Sequence, residues 1–343
     1  MLILGVESSC DETALSLVEN GKHVRASLVA SSVAKQAQFG GVVPEVAARE
    51  HLNALGPLWE TLQKQSGVRA SDIDGVAVTR GPGLIGALLV GVSFAKSFAA
   101  AARVPLIPVD HVHAHMHGAF LGIEEEGSSL FPLIGAVISG GHSNLYLMRD
   151  FVTFEKLAST IDDACGECFD KVGKILGTPY PGGPEIEKLA ARAKDHSIEM
   201  PKMVKEKSRL EFSYSGLKTH VLNTWRKMSG PLSPGSAEYS KLRENISYAF
   251  QEQAFDLILR KLKLTLKEHP DVKSVVIAGG VAANQRFREI LSGGLKPKVY
   301  YPKLAYCSDN AAMIAALGYH LYETSTDKSD FDIMDWDPYS RQT

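Results

Sequence analysis

Apolar residues open the chain in short runs. "LILGVE" (Leu2–Glu7) is almost wholly apolar, "SSCDET" is polar, and "ALSLVE" alternates. Runs of this length between turn residues predict strand, turn, strand, strand over residues 2–29, with a tight hairpin at the Asn-Gly pair 20–21. Over residues 44–65 the apolar positions recur at helical spacing. "SDIDGVAVTRGPGLIGALLVG" then reads as turn, buried strand, Gly-Pro-Gly turn and long apolar helix, and "VPLIPVDH" as a further short strand. After that the pattern starts again. "PLIGAVISGGHSNLYLMRDFVTFEKLAST" repeats the order of apolar strand, small polar turn, alternating strand, turn and third strand. Aligning "ILGVESSCDETALSLV" with "IGAVISGGHSNLYLM" sets Ser8, Ser9, Cys10 and Asp11 over Gly140, Gly141 and His142. Two such units imply a duplicated two-lobe fold with a cleft between the lobes. Helices are expected near residues 162–176, 184–195 and 237–268, after about residue 285, and over 309–323. Strands are expected at "SVVIAGG" and "KVYYPK", and the acidic last twenty residues read as irregular.

Composition changes this picture little. The chain has 343 residues, 45% hydrophobic and 22% charged, with a formal charge of −2, which is ordinary for a soluble protein. A polyanionic partner would need a local basic surface. Residues 201–227 offer one: Lys202, Lys205, Lys207, Arg209, Lys218, Arg226 and Lys227 against Glu206 and Glu211, with Phe212 and Tyr214 placed to stack on a base. No basic leader precedes an apolar run, and "LIGALLVGVSFA" is too short to span a bilayer, so a buried helix and no membrane are expected. Four cysteines with no framework spacing point to a reducing cytoplasm. Cys165 and Cys168 form a C-x-x-C unit without a second, which reads as small buried side chains rather than half a zinc site or a redox pair.

The candidate chemistry begins at "DHVHAHMHG", residues 110–118, where four histidines alternate. In a strand all four share one face; in a helix His111 pairs with His115 and His113 with His117. A helical pair leaves a cation short of ligands, and Asp309 of "CSDN" is a candidate third. Two histidines and one carboxylate suit iron or zinc. "SGGHSN" (Ser139 to Asn144), "YPGGP" and "AGGVAANQ" are glycine turns of the kind that admit phosphate oxygens to backbone N–H groups. None is a P-loop or a G-x-G-x-x-G. "ESSCDET" brings Glu7, Asp11 and Glu12 into one turn. "DDACGECFDK" brings Asp162, Asp163, Glu167 and Asp170 near a helix start, where the helix dipole accounts for Asp162 or Asp163 but not for Asp170.

Taken together, "ESSCDET", "FGGVVPEVAAR", "GPGLIGALLVG", "SGGH", "GECFDK", "YPGGP", "FSYSGLKT", "AGGVAANQ" and "CSDNAAMIA" resemble the TsaD family of tRNA threonylcarbamoyladenosine transferases, in order and from about residue 2 to 325. The resemblance implies an α/β fold of the actin/Hsp70/sugar-kinase (ASKHA) type, with a mixed sheet in each lobe. Residues 1–130 would form the N-terminal lobe, the helix at about 309–325 packing back on it, and residues 131–308 the C-terminal lobe with the nucleotide site. It implies transfer of threonylcarbamoyl from L-threonylcarbamoyl-adenylate to N6 of the adenosine 3′ of the anticodon, in tRNAs reading codons that begin with A, with release of AMP. It implies one divalent metal, Fe2+ or alternatively Zn2+, on His111, His115 and Asp309, which favours the helical period. The nucleotide site maps to Val137, Ile138, Ser139, Gly140, Gly141, Asp170, Gly183, Glu187 and Asn284. Asp170 and Glu187 would accept hydrogen bonds from ribose hydroxyls. Asp110 stands where relatives often carry His or Asn.

The adenine amine is a poor nucleophile, so a carboxylate that takes its proton would help; Asp11 is the expected base and Glu12 its support. The implied partners are tRNA, a TsaB-like paralogue meeting helices of the N-terminal lobe, and a TsaE-like ATPase. Residues 84–102, apolar nearly all round, and residues 44–62 are the candidate contact. Three rival functions fit the motifs less well. A kinase or ATPase of the same fold needs no H-x-x-x-H. A metalloprotease needs Glu where Val112 stands. A scaffold like the paralogue would lack the paired histidines.

Overall fold

The computed structural model describes residues 1–125, 127–202, 210–332 and 335–341. The chain divides into two compact units. Met1–Leu130, Met148–Phe154 and Tyr300–Thr343 form the first; Phe131–Leu147 and Glu155–Val299 form the second. The first sheet takes β1 (Leu2–Glu7), β2 (Glu12–Glu19), β3 (His23–Ser31), β4 (Gly75–Gly81) and β5 (Leu106–Asp110) in the order β3-β2-β1-β4-β5. The second takes β6 (Leu133–Ile138), β7 (Ser143–Met148), β8 (Phe154–Ala158), β9 (Ser274–Ala278) and β10 (Lys298–Tyr300) in the order β10-β9-β6-β7-β8. Counted within each set, the two orders are the same. The repeat read in the sequence is therefore a repeated topology, and the two aligned turns, residues 8–11 and 139–142, each join the first strand of a sheet to its second.

Helices α1 (Val33–Gln36), α2 (Pro44–Ser66), α3 (Ile85–Ala102), α4 (His111–His117) and α5 (Gly127–Leu130) belong to the first unit. Helices α6 (Cys165–Ile175), α7 (Gly182–Ala190), α8 (Ser215–Ser229), α9 (Ala237–Glu268) and α10 (Gln285–Gly294) belong to the second, and α11 (Ala311–Thr324) to the first.

In the first unit, successive residues of a strand face opposite layers. Leu4, Val6, Val76 and Val78 pack with Leu55 and Leu62 of α2 and with Val92, Ala95 and Ala99 of α3. Ile3, Ala77, Ile107 and Val109 pack with Ala114 of α4 and residues 312–317 of α11. Burial on both faces is why β1 reads as an apolar run rather than as an alternation. The hairpin at Asn20 and Gly21 has φ of 51° and 67°, the left-handed pair that a two-residue turn of this hand requires. β1 and β2 are antiparallel, whereas β1, β4 and β5 run parallel. The carboxyl ends of these three parallel strands therefore lie on one edge, where ligands bind in open α/β sheets.

Two features depart from the pattern read in the sequence. Helix α3 is not buried all round: Ala87, Leu88, Gly91, Val92, Ala95 and Ala99 face inward, while Ile85 and Leu89 are 48% and 47% exposed. By length and composition α3 could cross a membrane, with a third of it buried in the protein. Phe212 and Tyr214 are fully buried and offer no ring to a base. Phe212 donates its N–H to Ser159 O, and Asp162 accepts from Ser213, Tyr214 and Ser215 at the start of α8. Asp162 thus serves α8, and Asp163 pairs with Lys171 and Lys218. Lys205, Glu206, Lys207 and Arg209 lie outside the described residues; Arg226 and Lys227 are exposed.

Candidate functional site

The histidine segment is helical. Asp110, the last residue of β5, caps α4 by accepting the His113 N–H at 3.0 Å. One turn then carries both His111 and His115 inward, their ring centroids 4.7 Å apart. His113 stacks on Phe154 and His117 bonds Phe151 O, so neither joins the pair. Burial holds the His117 imidazole well below its usual pKa, as a neutral ring. Asp309 comes from the far end of the sequence. Gly5 of β1 makes this possible: a side chain there would run into the Ala311 carbonyl, so α11 can begin directly on β1.

Asp309 Oδ1 lies 3.5 Å from His111 Nε2 and 3.3 Å from His115 Nε2. Ligands of a tetrahedral ion with bonds of about 2.0–2.1 Å sit roughly 3.3 Å apart, so these atoms are spaced as first-row metal ligands are. Among the described residues neither ring nitrogen of His115 has a hydrogen-bond partner, although both are buried, and Nε2 faces the Asp309 carboxylate. An orphaned buried nitrogen costs about 1–3 kcal/mol, and a cation at Nε2 would satisfy one of the two. Among the described residues this is the one cluster of three such ligands. The donor set fits a divalent metal.

Glu7, fully buried at the end of β1, orients the pair. Its Oε2 lies 3.0 Å from His111 Nδ1 and accepts the Thr79 hydroxyl at 2.5 Å; its Oε1 accepts the Ser9 N–H at 2.6 Å. A proton shared at Nδ1 leaves the Nε2 lone pair for a metal, the carboxylate–histidine–metal arrangement. Burial works against the His111 cation, but Glu7 and Asp309 outweigh it and hold the imidazole well above its usual pKa. Burial opposes the Asp309 charge, and the two histidines hold it well below the carboxylate range. Glu7 stands out in the sequence as the only charge in an otherwise apolar strand. Its partner, 104 residues away, does not.

Asp11 and Glu12 follow in the β1–β2 turn. Burial, then the Asp309 charge, raises Asp11, and the Cys10 thiol partly offsets this. Burial pushes Glu12 up to about 7 against the Ser31 hydroxyl, which donates to Oε1 at 2.8 Å; Oε2 is buried without a partner among the described residues.

In the second unit the candidate nucleotide residues form a closed circuit of contacts. Residues 139–141 follow β6, and Gly166 of α6 donates to Ser139 O at 3.1 Å. One turn along α6, Asp170 Oδ1 accepts Gly182 N at 2.7 Å and Gly183 N at 3.3 Å. Glu187 of α7 accepts Gln285 N at 2.7 Å, and burial raises its pKa. Asn284 caps α10 through Phe287 N and bonds Gln251. Gly279, at φ 89°, closes the ring against Ile138 O. Val137 lies opposite Ala278 in the parallel β6–β9 pair. Gly140, Gly141, Gly183 and Gly280 line this circuit, and a side chain at any of them would meet open space. The protein's own packing does not require glycine there, whereas an approaching ligand would. Cys165 and Cys168 are buried and burial raises both thiols, Cys165 to about 12, so they are packing residues.

Two sheets of one topology define the class: an α/β protein of the actin/Hsp70/sugar-kinase type. The solved structures that this chain is similar to share that fold. An activator of 2-hydroxyisocaproyl-CoA dehydratase from Clostridium difficile superposes with a TM-score of 0.52 at 14% identity, over 97% of this chain and 98% of its own. HypF in its phosphate- and nucleotide-bound form superposes at 0.59 and 16%, over 94% of this chain and 47% of its own. Sequence similarity is narrower. Residues 23–316 match the model of the family described as TsaD: tRNA N6-adenosine threonylcarbamoyltransferase. A protein of that name from Syntrophomonas wolfei is 43% identical over 324 residues, 94% of this chain and 92% of the relative. One from Bacillus subtilis is 42% identical over 330 residues, 94% and 91%. The chain belongs to the TsaD family.

Proposed function

We propose that this protein transfers the threonylcarbamoyl group from L-threonylcarbamoyl-adenylate to N6 of the adenosine 3′ of the anticodon, in tRNAs reading codons that begin with A, and releases AMP. The observation that carries the reading is a family match along nearly the whole chain, together with the buried His111, His115 and Asp309 cluster. Fe2+ is the proposed metal and Zn2+ the alternative, since two imidazoles and one carboxylate suit both. When bound, the metal supplies a Lewis-acidic centre for the oxygens of the acyl group. Glu7 fixes the His111 tautomer and ring plane. The glycine N–H groups at 140 and 141 hold the adenylate, the bare backbone at Gly183 lets it approach, and the Asp170 and Glu187 carboxylates take its ribose hydroxyls. Asp11 accepts the proton of the attacking amine with Glu12 behind it; burial keeps both carboxylates more basic than usual, as a general base near neutral pH requires. The partners are tRNA, a TsaB-like paralogue on the α2–α3 surface, and a TsaE-like ATPase. The four cysteines form no disulfide, which fits a reducing cytoplasm.

Mass spectrometry of nucleosides tests this, from unmodified tRNA incubated with the protein, its partners and threonylcarbamoyl-adenylate. Threonylcarbamoyladenosine should form and should be lost with His115→Ala. ATP turnover without modified nucleoside would reject the transferase in favour of a kinase-like activity.

A further inference from the structure

The C-terminal segment lies beyond the residues matched by the family model, and the chemistry above does not use it. It is nevertheless tied to the metal-bearing helix. Helix α4 has only seven residues, and helices this short owe their position to caps and packing. The Asp110 carboxylate is its cap, and each oxygen has a task. Oδ1 accepts the His113 N–H at 3.0 Å, and Oδ2 accepts the Tyr339 hydroxyl at 2.6 Å. A carboxylate held at both oxygens cannot turn about its terminal bond without losing one partner.

Tyr339 is itself held. Its N–H donates to Arg80 O at 3.1 Å, and Arg80 Nε donates to Asp337 O at 2.9 Å. Lys96 Nζ donates to Trp336 O at 2.8 Å. The same lysine and the Arg80 guanidinium lie 4.8 and 5.4 Å from the Trp336 ring centre. These contacts run across the ends of β4 and β5, where Gly81 and Asp110 stand opposite each other. A side chain at Gly81 would collide with the Tyr339 carbonyl and ring. The acidic composition of the tail is incidental to this grip, which uses backbone carbonyls and aromatic rings.

We infer that Tyr339 is a positioning residue that acts through Asp110 to set His111 and His115 for metal binding, and that residues 335–341 are the strap that holds it. The inference rests on the reading of His111, His115 and Asp309 as a metal site. Its test is a titration of the full-length, metal-stripped protein with Co2+, whose visible absorption reports ligand geometry. Tyr339→Phe removes the hydroxyl and keeps the ring. It should weaken Co2+ binding roughly threefold to tenfold, less than the ~10–100-fold typical of groups bonded directly to a ligand, and should alter the visible band. In an Asp110→Ala background the same change should have no further effect. Trp336→Ala, which lifts the strap elsewhere, should reproduce the loss. Co2+ bound equally tightly and with the same spectrum by wild type and Tyr339→Phe would overturn the inference alone, as would full additivity with Asp110→Ala. A wild type that takes up no Co2+ would overturn the metal reading, and this inference with it.

Discussion

At the scale of single residues, the clustered His111, His115 and Asp309 were legible as candidates and their supports were not. An i, i+4 histidine pair and a polar turn before a helix are local patterns. The Glu7–His111 contact spans 104 positions and leaves no local trace beyond an acid ending an apolar strand. The expected consequence is that Glu7→Gln lowers affinity for Zn2+ or Co2+ by roughly 10–100-fold while the protein stays folded, measured by competition with a chelator. An unchanged affinity would mean that His111 is oriented by packing alone. Glu12 makes a second prediction. Its neighbours are Ser31 on β3, Asp11 in the turn and the Asp309 charge; burial contributes most to its pKa of about 7. A cation at Asp309 would cancel a minor contribution and leave burial in place. The pH dependence of kcat/KM should rise with an apparent pKa near 7, and Ser31→Ala, which removes a bond to the charged form, should move that limb to higher pH. Stability should run the other way. The unfolded carboxyl gives up its proton near 4.5 and the folded one near 7. The folded state holds the extra proton between them, so the Glu12 contribution is present below 4.5 and is lost as pH rises through 7. A limb unmoved by Ser31→Ala would assign it to another group.

At the scale of elements, the periodicities located strands and helices well, because both sheets are built from short apolar runs and several of the turns carry glycine. The functions of the glycines were harder to separate. Gly279 and Gly183 look alike in sequence. Yet Gly279 has φ 89°, and a β-carbon on it would stand 2.5 Å from the Ile138 carbonyl oxygen, whereas Gly183 faces open space. Gly279→Ala should therefore destabilise the second unit by about 2–4 kcal/mol, through left-handed strain and a backbone clash. Gly183→Ala should stay within about 0.5 kcal/mol of wild type, as substitutions away from packed features do. Calorimetry with AMP should separate the two roles: Gly183→Ala folds but binds at least about tenfold more weakly, a loss of ~1.4 kcal/mol. Tight AMP binding by Gly183→Ala would remove that loop from the nucleotide site.

At the scale of the whole molecule, the duplication was legible because both units repeat one strand order. The fate of exposed and buried apolar side chains was not. Phe212 and Tyr214 sit among lysines in sequence but are fully buried, while Leu52 and Leu89 sit in amphipathic or apolar helices and are 69% and 47% exposed. Those two leucines, with Leu55, Gly56, Val90 and Phe94, line an apolar groove of about 490 Å³ on α2 and α3. An apolar surface of this kind suits a contact with another chain, and the proposed occupant is the TsaB-like paralogue. Leu55 is buried, so a charge there would damage the core and report nothing about pairing. Leu52→Asp and Leu89→Asp place the charge on solvent in the lone protein and leave its fold intact. In the pair the same charge would be buried without a partner, a cost of about 3–5 kcal/mol, or roughly 150-fold to 5,000-fold in affinity. Size-exclusion chromatography with the paralogue should show the pair separating for both variants, with unchanged circular dichroism of each chain. A complex that persists with both substitutions would place the partner on another surface and leave the groove on α2 and α3 without its proposed occupant.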